Sequence, residues 1–144
     1  MLHLTDYSLF IYKKYQLHKG MPGFICFTPI EAKFTTEKDP EAKIDPYCKF
    51  KLGWQTAKTD VSKEEGLQAK WAEVVTLERK GADSYAKLKV KDKTALGFDG
   101  LIGEAKIDVE FVVANKKVSQ WYTIYNKDKP TGEVFMSVEY VPPM

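Results

Sequence analysis

Residues 38–52 read Lys-Asp-Pro-Glu-Ala-Lys-Ile-Asp-Pro-Tyr-Cys-Lys-Phe-Lys-Leu. Asp39 and Asp45 bracket a proline-containing loop, and the chain then alternates from Tyr47 to Leu52. Strict alternation is the signature of a half-buried strand, so Cys48, Phe50 and Leu52 face a core while Lys49 and Lys51 face water. Two carboxylates on one loop between strands can aim at a common point, as a hard cation requires.

The same period continues outward. Short runs rich in Val, Ile, Phe and Tyr, separated by turn residues, predict strands at Phe24–Lys33, Tyr47–Leu52, Gln55–Val61, Trp71–Leu77, Ser84–Lys91, Leu101–Val109, Lys117–Ile124 and Gly132–Tyr140. In Ser84–Lys91, Ala86, Leu88 and Val90 point one way, and Tyr85, Lys87, Lys89 and Lys91 the other. Eight strands at this spacing predict an all-β, antiparallel sandwich. Pro130-Thr131-Gly132 is expected as a turn before the last strand, and Trp71, Trp121, Phe135 and Tyr140 as core residues. The domain is expected to span residues 23–144, behind an N-terminal extension of residues 1–22 joined at Met21-Pro22-Gly23. Within the extension, Leu4, Tyr7, Ile11 and Tyr15 fall near helical spacing, and Tyr7–Tyr12 also suits a strand.

A chain of 144 residues is one domain by length and buries a sizeable core without a metal or disulfide. Net charge is +2, and of 22 basic residues all but Arg79 are lysine, which argues against a nucleic-acid binder. Cys26 and Cys48 lack metal-ligand spacing and read as buried free thiols in a reducing, cytoplasmic compartment. No stretch is long and apolar enough to span a membrane, so membrane contact is expected to be peripheral. His3 and His18 both precede the domain, no G-x-S-x-G or H-E-x-x-H occurs, and a non-enzymatic binding module is expected.

In chain order, Glu31-Ala32-Lys33, Asp39, Asp45-Pro46-Tyr47, Lys58-Thr59, Trp71-Ala72-Glu73, Asp92, Leu101-Ile102-Gly103-Glu104, Trp121 and Thr131-Gly132-Glu133 together resemble C2 domains, the membrane-targeting β-sandwiches, over residues 23–141. The resemblance implies an eight-stranded Greek-key sandwich with the family's type II connection. It also implies a calcium site built on two acidic loops, the first giving two aspartates and the second three. Asp39 and Asp45 match the first loop, and Asp92 the head of the second. Thr94 and Gly100 stand where further aspartates are usual, and Asp99 lies one place early. Ca²⁺ binding at Asp39, Asp45, Asp92 and Asp99 is therefore expected to be weak or absent, the more so with Lys43, Lys91 and Lys93 nearby.

The resemblance further places Lys49, Lys51, Lys58, Lys87, Lys89 and Lys91 on one concave sheet, which in relatives binds phosphoinositide head groups. A merely solvated face is the plainer reading of the same lysines. Ile44, Leu96 and Phe98 on the loop tips suit insertion into a membrane interface, or else fold back onto neighbouring loops. The functional expectation is a peripheral module binding anionic phospholipid membranes. The alternative is a calcium-independent protein-interaction scaffold whose protein partner meets residues 1–22.

Overall fold

The computed structural model describes residues 9, 20–35, 43–62, 67–81, 83–94 and 96–144. The strands are β1 (Gly23–Phe34), β2 (Pro46–Leu52), β3 (Gln55–Lys58), β4 (Gln68–Lys70), β5 (Val75–Arg79), β6 (Tyr85–Asp92), β7 (Gly100–Asp108), β8 (Lys117–Asn126) and β9 (Lys129–Val141), and a short helix, α1 (Val109–Asn115), lies between β7 and β8. The strand order is β3-β2-β6-β7-β8-β9-β1-β4, and β5 also pairs with β1. Every pairing is antiparallel. Between β7 and β8 the ladder narrows to one pair, Glu104 with Tyr125, so the strands curl into two layers. One layer is β3-β2-β6-β7; the other is β8-β9-β1 with β4 and β5.

The core lies between the layers because alternation on each strand delivers its apolar set inward. Ile25 and Phe27 come from β1, Cys48, Phe50 and Leu52 from β2, Leu88 and Val90 from β6, and Val134, Met136 and Val138 from β9, all fully buried. The rings of Phe27 and Phe50 stack across the layers with centroids 4.5 Å apart. Each such side chain contributes roughly 1.5–3 kcal/mol through burial.

Seven of the predicted strands stand; in place of the eighth, Trp71–Leu77, β5 begins only at Val75 and a separate short edge strand, β4, lies before Trp71. β4 pairs with Glu31–Lys33 and β5 with Gly23–Phe27. Between them, the β1–β9 register shifts at Pro29, which has no N–H to give a ladder. Trp71 N, donating to Ile30 O at 3.1 Å, holds the gap. The predicted Gln55–Val61 strand ends at Lys58, beyond which Thr59 and Ser62 still donate backbone hydrogen bonds to Cys48 O and Pro46 O.

Four expectations are corrected. Pro130-Thr131-Gly132 lies inside β9, because the turn is Lys127-Asp128, both at positive φ as a two-residue hairpin with right-handed strand twist demands. Trp121 is 38% exposed, since the edge of β8 leaves its outer face uncovered, where it packs on Phe135 and under Lys33 Nζ at 5.2 Å. Cys26 is half-buried, its sulfur turned to the outer side of β1 beside Thr76; Phe135, on the outer face of β9, is likewise half-buried. Trp71 and Tyr140 are buried as expected.

The expected extension falls almost wholly outside the described residues. Its joint is described: Met21 packs on the core, and Tyr140 Oη donates to Pro22 O at 2.6 Å. At Gly23 (φ 151°) a Cβ would collide with the Tyr140 ring and Val141 O, so this close approach requires glycine.

Candidate functional site

Strand pairing turns scattered lysines into rows. Lys51, Lys87 and Lys106 lie directly opposite one another across β2, β6 and β7. One pleat along, Lys58, Lys49 and Lys89 align across β3, β2 and β6, with Glu104 closing the row on β7. Lys49, Lys51, Lys87, Lys89 and Lys106, with Tyr85 and Thr56, line an open groove of about 430 Å³. Like charges directly opposite on a sheet are destabilising. Among the described residues the one ion pair within 4 Å is Arg79–Glu110, so no described carboxylate is in ion-pair contact with these lysines.

The other two expected lysines belong to the loop end of the sheet. Lys58 Nζ sits 5.6 Å from the ring centroid of Tyr47. Lys91 pairs with Tyr47 and, past a register shift at Val90, with Leu101. Both lysines act on Asp99, whose carboxyl is held below its usual range first by the Tyr47 hydroxyl and the Thr94 amide, then by the charges of Lys91 and Lys58, against some desolvation. Tyr47 responds in the opposite sense. Burial, the bond to Asp99 and the charge of Asp99 push its hydroxyl up to about 12.

These contacts decide how the acidic loops fit a cation. Tyr47 Oη donates to Asp99 Oδ2 at 2.5 Å and Thr94 N to Oδ1 at 3.1 Å, so both oxygens are engaged. Asp92 Oδ1 accepts from Asp45 N at 2.8 Å, and Lys93 N donates to Asp45 O at 3.0 Å. Calcium takes six to eight oxygens. Among the described residues no three acidic, His or Cys side chains converge on a point, and Asp39 lies outside them. Among the described residues, hydrogen bonds within the protein thus engage one oxygen of Asp92 and both of Asp99 and join Asp45 to the second loop.

At the tips, Leu96 and Phe98 are 85% and 86% exposed, whereas Ile44 packs half-buried against the core. Sequence reasoning missed Lys106, Trp54 and α1. Lys106 alternates with the inward Ile107 and needed only the β7 register to join the row. Trp54, in Leu-Gly-Trp-Gln at the β2–β3 turn, is 97% exposed. α1 carried a readable signal: Asp108 as N-cap, accepting from Phe111 N at 3.0 Å, then Val109, Val112 and Val113 at helical spacing. Among the described residues, no helix is long and apolar enough to cross a membrane.

The sequence profile of the C2 domain matches residues 23–124. The 16 kDa phloem protein 2 of Cucurbita maxima is 32% identical over 97 residues, covering 64% of this chain and 70% of that protein. The Ingression protein fic1 of Schizosaccharomyces pombe is 25% identical over 128 residues, 88% of this chain but 47% of its own length. Among solved structures, a C2 domain of plant Extended Synaptotagmin 1 superposes with a TM-score of 0.67 at 19% identity, covering 85% of this chain and 96% of that one. The calcium-bound tandem C2 domains of Extended-Synaptotagmin 2 give 0.70 at 24% identity, covering 87% and 48%.

Proposed function

The chain belongs to the C2 domain family, and we propose that it is a peripheral module that binds anionic phospholipid surfaces through the lysine rows of its β3-β2-β6-β7 layer, without requiring calcium. The observation that carries the reading is the row Lys51–Lys87–Lys106, three like charges set side by side with no carboxylate within ion-pair distance among the described residues. Folding gains nothing from that arrangement, and a phosphate-bearing surface does. Each lysine near an anionic leaflet contributes about 1 kcal/mol.

Calcium independence is supported by the engaged oxygens of Asp99 and Asp92. Asp45 N donating to Asp92 Oδ1 and Lys93 N donating to Asp45 O link the second loop back to Asp45, and Tyr47 Oη fastens Asp99 to β2, tasks a bound cation would otherwise perform. A cytoplasmic site of action suits the free thiols of Cys26 and Cys48, since a reducing compartment keeps such groups unpaired.

The test is sedimentation with phosphatidylserine or phosphoinositide vesicles, in chelator and in calcium. Wild type is expected to sediment equally in both and to be released by salt. Lys49→Glu combined with Lys89→Glu should abolish most of the binding. Failure to sediment with any anionic vesicle would end the lipid reading, and binding seen only with calcium would end its calcium-independent part.

A further inference from the structure

The lysine face has two ends, and both carry exposed apolar side chains. β2 runs from Pro46, beside the acidic loops, to Leu52, beside the turn Gly53-Trp54. Seven strand residues span about 20 Å. The ends are therefore separated by more than the Debye length of about 8 Å at physiological salt and meet a charged surface independently.

The β2–β3 turn is two residues long, with Leu52 opposite Gln55 and Gly53 at φ 60° in the first central place. That conformation suits a tight hairpin and leaves the second place open to any residue. The residue there is tryptophan, 97% exposed, with Lys51 Nζ 6.0 Å from its ring. An indole held in water contributes nothing to the core, whereas tryptophan is the residue most at home at a membrane–water interface. Tyr85 is exposed at the same end, under Lys106 Nζ at 5.6 Å.

Charge separates the two ends. At the hairpin end the Lys51–Lys87–Lys106 row stands against Asp83, which lies beside Gly53, and Asp108, which is occupied in capping α1. At the other end Leu96 and Phe98 rise among Asp45, Asp92 and Asp99, carboxylates interspersed with Lys43, Lys58, Lys91 and Lys93. An anionic bilayer meets an unbroken lysine row at the first end and carboxylates set among lysines at the second.

Resting on the lipid reading above, we propose that the protein meets an anionic bilayer with its β2–β3 hairpin, Trp54 entering the interface and the lysine row beside it contacting lipid phosphates, while the acidic loops stay out.

Fluorescence tests this directly, because the other two tryptophans, Trp71 and Trp121, are 8% and 38% exposed. Full-length protein is mixed, in chelator, with phosphatidylcholine/phosphatidylserine vesicles carrying bromine on the acyl chains. Wild-type emission should shift to the blue and be quenched, and Trp54→Phe should remove the quenched component. Trp54→Ala should bind at least about tenfold more weakly, the effect of withdrawing one large apolar side chain from an apolar phase. Leu96→Ser with Phe98→Ser should stay within about twofold of wild type, since neither side chain enters the membrane. All three side chains are exposed, so these variants fold. If wild type sediments with vesicles but Trp54 is not quenched, or if only the Leu96/Phe98 variant loses binding, the hairpin assignment falls and the lipid reading stands. If wild type does not sediment at all, both fall.

Discussion

Lys87 sits between two like charges, Lys51 on β2 and Lys106 on β7, and has no carboxylate partner within ion-pair distance among the described residues. Replacing it with glutamine should therefore stabilise the fold and weaken membrane binding at once. Cross-strand neighbours have Cβ atoms roughly 5 Å apart, and about 6 Å between ammonium groups is a fair separation for mobile side chains. In water, two unit charges at about 6 Å repel by about 0.7 kcal/mol, which a Debye length of about 8 Å reduces to about 0.3 kcal/mol. Two such neighbours give about 0.6 kcal/mol. In a chain of this size that raises Tm by roughly 1–2.5 °C.

The same change removes about 1 kcal/mol of attraction to an anionic leaflet, or about fivefold in affinity. Differential scanning calorimetry and vesicle sedimentation on the same preparations read both numbers. At about 1 M salt the Debye length falls to about 3 Å, and both differences should shrink together. A Lys87→Gln protein that melts lower than wild type at low salt would refute the claim that the row is strained. Unchanged lipid affinity would refute the claim that the row is there for phosphate.

Two further outcomes follow from the interior and the loops. Arg79 is fully buried and bonds Glu110 Oε1 through Nη2, while Arg79 Nε and Nη1 and Glu110 Oε2 have no partner among the described residues; Glu110→Leu alone should cost about 3–5 kcal/mol in urea unfolding, and Arg79→Met with Glu110→Leu much less, because only the single change leaves a buried charge alone. The Tyr47–Asp99 bond lowers one pKa and raises the other, so its stability is lost as pH falls through the depressed Asp99 value and as pH rises from about 10 through the Tyr47 value of about 12. Tyr47→Phe should move the Asp99 titration, followed by carboxyl NMR, up toward the ordinary range; a titration that stays put would show that Thr94 and the lysines hold Asp99 without the tyrosine.

The sandwich was legible because each strand states its own inward face. Cys48, Phe50 and Leu52, and Ala86, Leu88 and Val90, alternate with polar residues and are buried where alternation puts them. Breaks in the pattern were harder. The interruption between β4 and β5 depends on Pro29 of a different strand, and the position of the last turn depends on Lys127 and Asp128 accepting positive φ, which neither residue type advertises. Trp121 escapes for another reason: aromatic character predicts burial on average, but Tyr122 and Ile124 hold the inward positions of β8 and leave Trp121 on its outer face.

The site was legible in composition and illegible in arrangement. Alternation shows that Lys49, Lys51, Lys87 and Lys89 point to the water side of their strands, but not which lysine stands beside which. Register supplies that, since a shift of one residue in β6 against β7 would send Lys106 to the core face and dissolve the three-lysine row. The acidic loops show the converse. Counting carboxylates suggests a partial metal site, yet Asp99 is committed to a tyrosine 52 positions earlier, a partner that no local pattern connects to it. One long-range hydroxyl therefore holds Asp99 in a protein hydrogen bond, and only the pairing of β2 with the second loop brings the two together.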